Sequence, residues 1–158
     1  MSYCATPLWA ASIAEGERLN GHTVVWANGC FDLLHAGHVR ALEEAKMLGE
    51  FLIVGLNSDR SVLGLKGRAP FIPEAQRAAM LCALRCVDLV VMFDDPTPAS
   101  WVELIEPDVV FVGYDQDPAM ARGLRSHQFW RPRICEATAA GWFGVSTGAV
   151  VRRVRGEP

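Results

Sequence analysis

The sequence has no excess of positive charge: 15 Lys and Arg stand against 18 Asp and Glu, leaving −3 with neutral histidines. A general nucleic-acid binder releases counterions through a basic surface, and this balance supplies none. Arg152, Arg153 and Arg155 form a local basic cluster, read as a solvated helix end. No apolar run approaches the ~20 residues of a membrane span. The N-terminus carries no basic segment followed by a long apolar one, so no signal peptide is expected. The cysteines do not pair by pattern. There are five, Cys4, Cys30, Cys82, Cys86 and Cys135, with no Cys-x-x-Cys among them. That speaks against a disulfide framework and suits a reducing cytoplasm. Cys82 and Cys86 share a helical face at i, i+4; packed core thiols are favoured there over a metal pair that lacks further ligands. Gly-x-Gly-x-x-Gly and Gly-Lys-Ser/Thr are both missing, which removes the dinucleotide fingerprint and the P-loop.

What remains is a chain of 158 residues, 51% hydrophobic and 21% charged, enough for one domain with a proper core. Short apolar runs alternate with helical patterns. Strands are expected at 23–27, 51–56, 88–93, 108–112 and, more weakly marked, 133–136. Helices are expected at 8–20 (an N-terminal extension closed by Gly21), 37–48, 74–85, 97–105 and 146–155, the last with Ser146 as N-cap. Residues 57–70 read as a polar connection, and 114–131 show little periodicity. The alternation implies βαβ units: one Rossmann-like, doubly wound α/β domain with a parallel sheet of about five strands covered on both faces. Such sheets bind ligands outside the carboxyl ends of their strands, where the strand order switches.

The segment Asn28-Gly29-Cys30-Phe31-Asp32-Leu33-Leu34-His35-Ala36-Gly37-His38 follows the first long strand and opens a helix. Unpaired N–H groups and the positive helix end make such a junction an anion site. Gly29 allows a tight turn there, and Gly37 a close approach of phosphate to backbone. His35 and His38, three apart, share a face and can donate to one phosphate. Two ordinary histidines, or half of a metal site, are the competing readings, and no third ligand stands at a telling spacing.

This His-x-Gly-His turn resembles that of the cytidylyltransferase-like nucleotidyltransferases, which move a nucleoside monophosphate from an NTP. The string ANGCFDLLHAGH is most similar to the heptose-1-phosphate adenylyltransferases of ADP-heptose synthesis. Asn57-Ser58-Asp59, Leu65-Lys66-Gly67-Arg68, Pro73-Glu74-Ala75-Gln76-Arg77, Ala83-Leu84-Arg85-Cys86-Val87-Asp88, Pro107-Asp108-Val109-Val110 and Gly144-Val145-Ser146-Thr147 follow in family order.

The resemblance implies transfer of AMP from ATP to a sugar 1-phosphate by in-line attack, with Mg²⁺ carried by the triphosphate. No dedicated protein metal site is expected. Catalysis then rests on positioning and charge stabilisation, because the acceptor phosphate is already an oxyanion. His35, His38 and Lys66 are the expected catalytic residues, with Lys66 on a loop closing over the phosphates. Asn28, Gly29, Cys30, Phe31, Gly37, Gly113, Asp115, Ser146 and Thr147 are expected around the nucleotide. Asp32, Arg77 and Arg85 are expected toward the acceptor, although Asp32 also suits a helix cap and the two arginines a surface. A homodimer in the cytoplasm is implied, with no nucleic-acid or membrane partner.

The likeness is incomplete. Heptose enzymes usually carry Lys-Gly-Gly-Asp-Tyr where this chain has Val112-Gly113-Tyr114-Asp115-Gln116, a form closer to archaeal FAD synthetases. Residues 117–143 match no member. Alternative readings are a CTP-dependent enzyme acting on glycerol 3-phosphate, an FMN adenylyltransferase, or an idle nucleotide-binding module. Gly141, Trp142 and Phe143 stand where cytidylyltransferases tend to have an arginine, which disfavours CTP.

Overall fold

The computed structural model describes residues 3–113, 130–137 and 146–156. In chain order the elements are β1 (Tyr3–Ala5), α1 (Pro7–Leu19), β2 (Val24–Gly29), α2 (Ala36–Lys46), β3 (Phe51–Asn57), α3 (Asp59–Lys66), α4 (Glu74–Cys82), β4 (Leu89–Phe93), α5 (Ala99–Ile105), β5 (Val109–Val112), β6 (Arg133–Glu136) and α6 (Thr147–Arg155).

The strands form one six-stranded sheet of order β1-β4-β3-β2-β5-β6 in which every pair is parallel. The expected α/β architecture is present. The added strand is β1, three residues on the edge beside β4, too short to show a pattern. The chain builds outward from β2 through β3 to β4, then crosses back to place β5 on the other flank of β2. The strand order therefore reverses between β2 and β5, and a crevice opens outside their carboxyl ends.

Side chains alternate along the strands, so each face has its own core. Val24, Trp26, Ile53, Val91 and Val110 pack under α1 and α5. Ala10 and Ala14, four apart on α1, are fully buried there and let that helix lie close to the sheet. Val25, Ala27, Leu52, Val54 and Phe111 pack on the opposite face with Leu42 and Ala45 of α2 and Leu81 of α4. Each fully buried aliphatic side chain contributes about 1.5–3 kcal/mol by leaving water. Carboxylates fasten the amino ends: Asp108 accepts from the Val24 N–H, and Asp88 from the Leu52 N–H and the Lys46 ammonium.

Residues 57–70 depart from expectation. They contain α3, whose N-cap Ser58 accepts from the Ser61 N–H and whose C-cap Gly67 adopts φ 66°. Lys66 is thus the last residue of a helix, not a loop residue. The helix α4 ends at Cys82, so Arg85 lies past it, in the connection leading into β4.

Candidate active site

A cavity of about 480 Å³ occupies the crevice, walled by the ends of β2 and β5, the start of α2, the end of α3, the start of α5 and Thr147 of α6. That volume suits a small-molecule site.

The turn between β2 and α2 is conformationally unusual. Phe31 and Leu33 hold positive φ angles of 47° and 108°, which cost energy in any residue with a branched or bulky side chain. Two buried ionic groups hold the turn in place. Arg77 is fully buried and directs four of its five N–H groups at the protein: to the carbonyls of Ile72, Cys30 and Asn57 and to the Asp59 carboxylate. Asp32 has no exposed side-chain surface; it accepts from the Phe71 and Ile72 N–H groups and pairs with Arg68 at 2.9 Å. The Arg68 guanidinium in turn lies 4.2 Å over the Phe71 ring.

Three expectations change accordingly. Arg77 is neither a surface residue nor a phosphate contact, because its donors are engaged inside the fold. Asp32 does not cap α2, since the N-cap is His35; its carboxylate ties the 68–72 segment to the turn. Arg85 is exposed and precedes the amino end of β4, the edge of the sheet opposite the cavity.

Gly29 also has a role other than the expected one. It is the last residue of β2, and a Cβ there would meet the Phe31 ring at 3.1 Å, so the glycine makes room for Phe31. Phe31 presents its ring edge-on to His38, with centroids 5.3 Å apart.

His35 and His38 come together as expected. Their rings stack at 3.8 Å, and the His35 N–H points at Nδ1 of His38 at 3.4 Å. His38 lines the cavity, while His35 lies outside its wall. Burial, followed by the charges of His35 and Lys66, lowers the His38 pKa from 6.5 to about 4. The imidazole is neutral at pH 7. With Nδ1 facing a donor, its proton sits on Nε2. The Coulombic coupling also brings the exposed Lys66 ammonium near the imidazole, at the mouth of the same cavity. Around them the first N–H groups of α2 have no helical carbonyl to bond and add positive potential. A neutral donor, an ammonium and a helix start therefore converge on one side of the cavity.

Asn28, Cys30, Gly37, Gly113 and Thr147 all line the cavity. Ser146 is exposed and caps α6 by accepting from the Ala149 N–H, as its sequence position suggested. Asp115 lies outside the described residues. Sequence reasoning did not single out Trp26, Asn57, Arg68 or the 96–99 connection. Asn57 and Trp26 carried one usable signal, their places on strands that end at the switch point.

The cytidylyltransferase-like family pattern matches residues 26–151. The chain is 42% identical over 146 residues to the bifunctional protein HldE of Geotalea uraniireducens, covering 92% of this chain and 29% of that one. It is 45% identical over 147 residues to that of Acidiphilium cryptum, covering 92% and 30%. The chain thus spans under a third of these curated relatives. Among solved structures, the lipopolysaccharide core biosynthesis protein of Thermoplasma volcanium superposes with a TM-score of 0.67 at 31% identity, covering 75% of this chain and 98% of that one. A pantoate-beta-alanine ligase from Francisella tularensis shares the fold, with a TM-score of 0.64 at 12% identity, covering 87% and 67%.

Proposed function

The chain belongs to the cytidylyltransferase-like family, and from that premise we propose that it is a nucleotidyltransferase transferring AMP from ATP to a sugar 1-phosphate, heptose 1-phosphate first among them. An acceptor phosphate oxygen attacks the α-phosphorus, the bond to the β-phosphate oxygen breaks, and pyrophosphate leaves. The observation that carries this reading is the neutral His38 imidazole, its Nε2–H available at the start of α2 beside Lys66. A neutral donor stabilises charge growing on the α-phosphate without removing a proton from anything, which suits an acceptor that is already ionised. Lys66 balances the charge of the leaving pyrophosphate. His35 orients His38 through its N–H and its stacked ring.

Mg²⁺ fits this site as a passenger of the triphosphate. The one carboxylate on the cavity wall, Asp32, is occupied by Arg68 and two N–H groups, and no three metal-binding side chains converge among the described residues. Phosphate oxygens and water would hold the ion, whose chemistry is to neutralise the β,γ-phosphates. The names of the relatives support the heptose assignment, and so does the string ANGCFDLLHAGH. A homodimer in the cytoplasm belongs to the same proposal; it accords with the absence, among the described residues, of any helix long and apolar enough to cross a membrane.

The test is Mg²⁺-dependent pyrophosphate release with ATP, CTP, GTP and UTP, each offered heptose 1-phosphate, glycerol 3-phosphate and FMN. Release with ATP and heptose 1-phosphate, lost in His38→Ala, is the expected result. Release with another pair moves the substrate assignment, and binding of ATP without release on any acceptor favours a binding module.

A further inference from the structure

Two amides, Asn28 and Asn57, stand at the carboxyl ends of the neighbouring strands β2 and β3, and both line the cavity. In the parallel register Asn28 lies opposite Gly55, two residues before Asn57, so both side chains belong to one face of the sheet. That face also carries Trp26, Val110 and Val112 and is covered by α1 and α5, whereas α2 and its His38 pack on the other. The two sides of the cavity differ in charge. His38, Lys66 and Asp32 all come from the segments flanking α2 and α3. The side under α5 is built from Trp26, Pro96, Thr97, Pro98 and Val102, with no charged residue among the described lining.

The orientation of each amide is fixed by a partner with only one option. The Trp26 indole can only donate, and it lies 3.2 Å from Asn28, so Oδ1 faces it and the amide NH₂ is turned away. The Ser61 hydroxyl gives its one hydrogen to the Asp95 carbonyl at 2.9 Å. It therefore has only lone pairs for Asn57, and the Asn57 atom 2.9 Å from it is Nδ2. The Asn57 Oδ1 has no protein partner among the described residues. One amide consequently offers N–H, the other an oxygen, and neither can flip without stranding its partner.

We propose that Asn28 and Asn57 form a hydroxyl-reading subsite that selects a neutral polyol on the acceptor, with the acceptor phosphate lying toward His38 and Lys66. This rests on the nucleotidyl-transfer reading and names the substrate class within it. Hydroxyls donate and accept at once, so a donor and an acceptor of fixed sense match a pair of them. A carboxylate finds no cation here, and a flat flavin ring leaves the amides unmatched. Asn28 then serves the acceptor in place of the nucleotide contact read from its position in the turn. Trp26 and Ser61 are positioning residues.

The experiment measures kcat/KM for heptose 1-phosphate and its ring-deoxy analogues, KM for ATP and thermal stability in the parent enzyme, Asn57→Ala and Trp26→Phe. Trp26→Phe keeps the ring in the core and removes the N–H, so it remains informative if Asn57→Ala folds poorly. Both variants are expected to lower kcat/KM for the sugar phosphate about 10- to 100-fold, to leave KM for ATP within about threefold, and to lose discrimination against one deoxy analogue. Equal losses toward ATP and sugar phosphate, or an unchanged kcat/KM for the sugar phosphate in a parent that turns it over, overturn the subsite alone. A parent enzyme that releases pyrophosphate with no sugar phosphate overturns the functional reading, and the subsite with it.

Discussion

The rings of His35 and His38 lie 3.8 Å apart and 23° from parallel, with the His35 N–H aimed at Nδ1 of His38. This contact makes His38 a one-sided donor, because the only ring nitrogen left to carry a proton is Nε2.

The first prediction concerns pH. The folded chain binds a proton at His38 only near pH 4, while the unfolded chain does so near 6.5. Between those values the unfolded state holds more protons, so stability rises with pH. The contribution is complete above pH 6.5 and declines as pH falls, by about 3 kcal/mol once pH reaches 4. Urea titrations from pH 7 to 4.5 should show this slope, and His38→Gln should flatten it. Activity should show no inflection from His38 between pH 6 and 8, and His38→Gln should lower kcat about 10²- to 10³-fold. An imidazole resonance of His38 titrating near 6.5 in the folded protein contradicts the assignment.

Arg77 and Arg85 should behave oppositely. Arg77 is fully buried against three carbonyls and Asp59, and removing it strands all of them. Arg77→Met should cost about 3–5 kcal/mol in urea unfolding. Arg85→Ala, at an exposed site on the far edge of the sheet, should stay within about 0.5 kcal/mol and keep full activity. A folded, stable Arg77→Met that loses only acceptor affinity would restore a phosphate contact.

Gly55 makes room for an indole. A Cβ there would lie 2.3 Å from Cζ2 of Trp26, which is itself completely buried. Gly55→Ala should destabilise by about 1–3 kcal/mol, and the double variant with Trp26→Leu should recover part of that loss. A double-mutant cycle with no coupling removes the steric account.

Lys66 and Asp32 separate chemistry from architecture. Lys66 is exposed, so Lys66→Ala should leave stability within about 0.5 kcal/mol while lowering kcat about 10²-fold. Asp32→Ala leaves Arg68 and two N–H groups without their acceptor. It should cost about 2–4 kcal/mol and depress activity as well. Equal stability losses in the two variants would undo the distinction.

The sequence showed the layered fold wherever apolar runs were long, and it located the anion site because a strand, a turn and a helix start coincide at 28–38. It could not show α3, where Ser61 and Val62 are the buried residues and too few to register a period. Nor could it show Arg77 inside the fold: helical spacing reports which side of α4 the residue occupies, not that the carbonyls of Cys30 and Asn57 close over it. Asp32 looked like a helix cap because local sequence reveals nothing of the N–H groups at 71 and 72 that claim its carboxylate. The amides of Asn28 and Asn57 became legible only through partners fixed by tertiary packing.

The central claim is attack at the α-phosphorus of ATP. It is tested most directly by ³¹P NMR of the product mixture from ATP, Mg²⁺ and heptose 1-phosphate. The account predicts pyrophosphate and a sugar diphosphonucleoside in equal amounts, with no inorganic phosphate. Formation of ADP with a doubly phosphorylated sugar would place attack at the γ-phosphorus and contradict it.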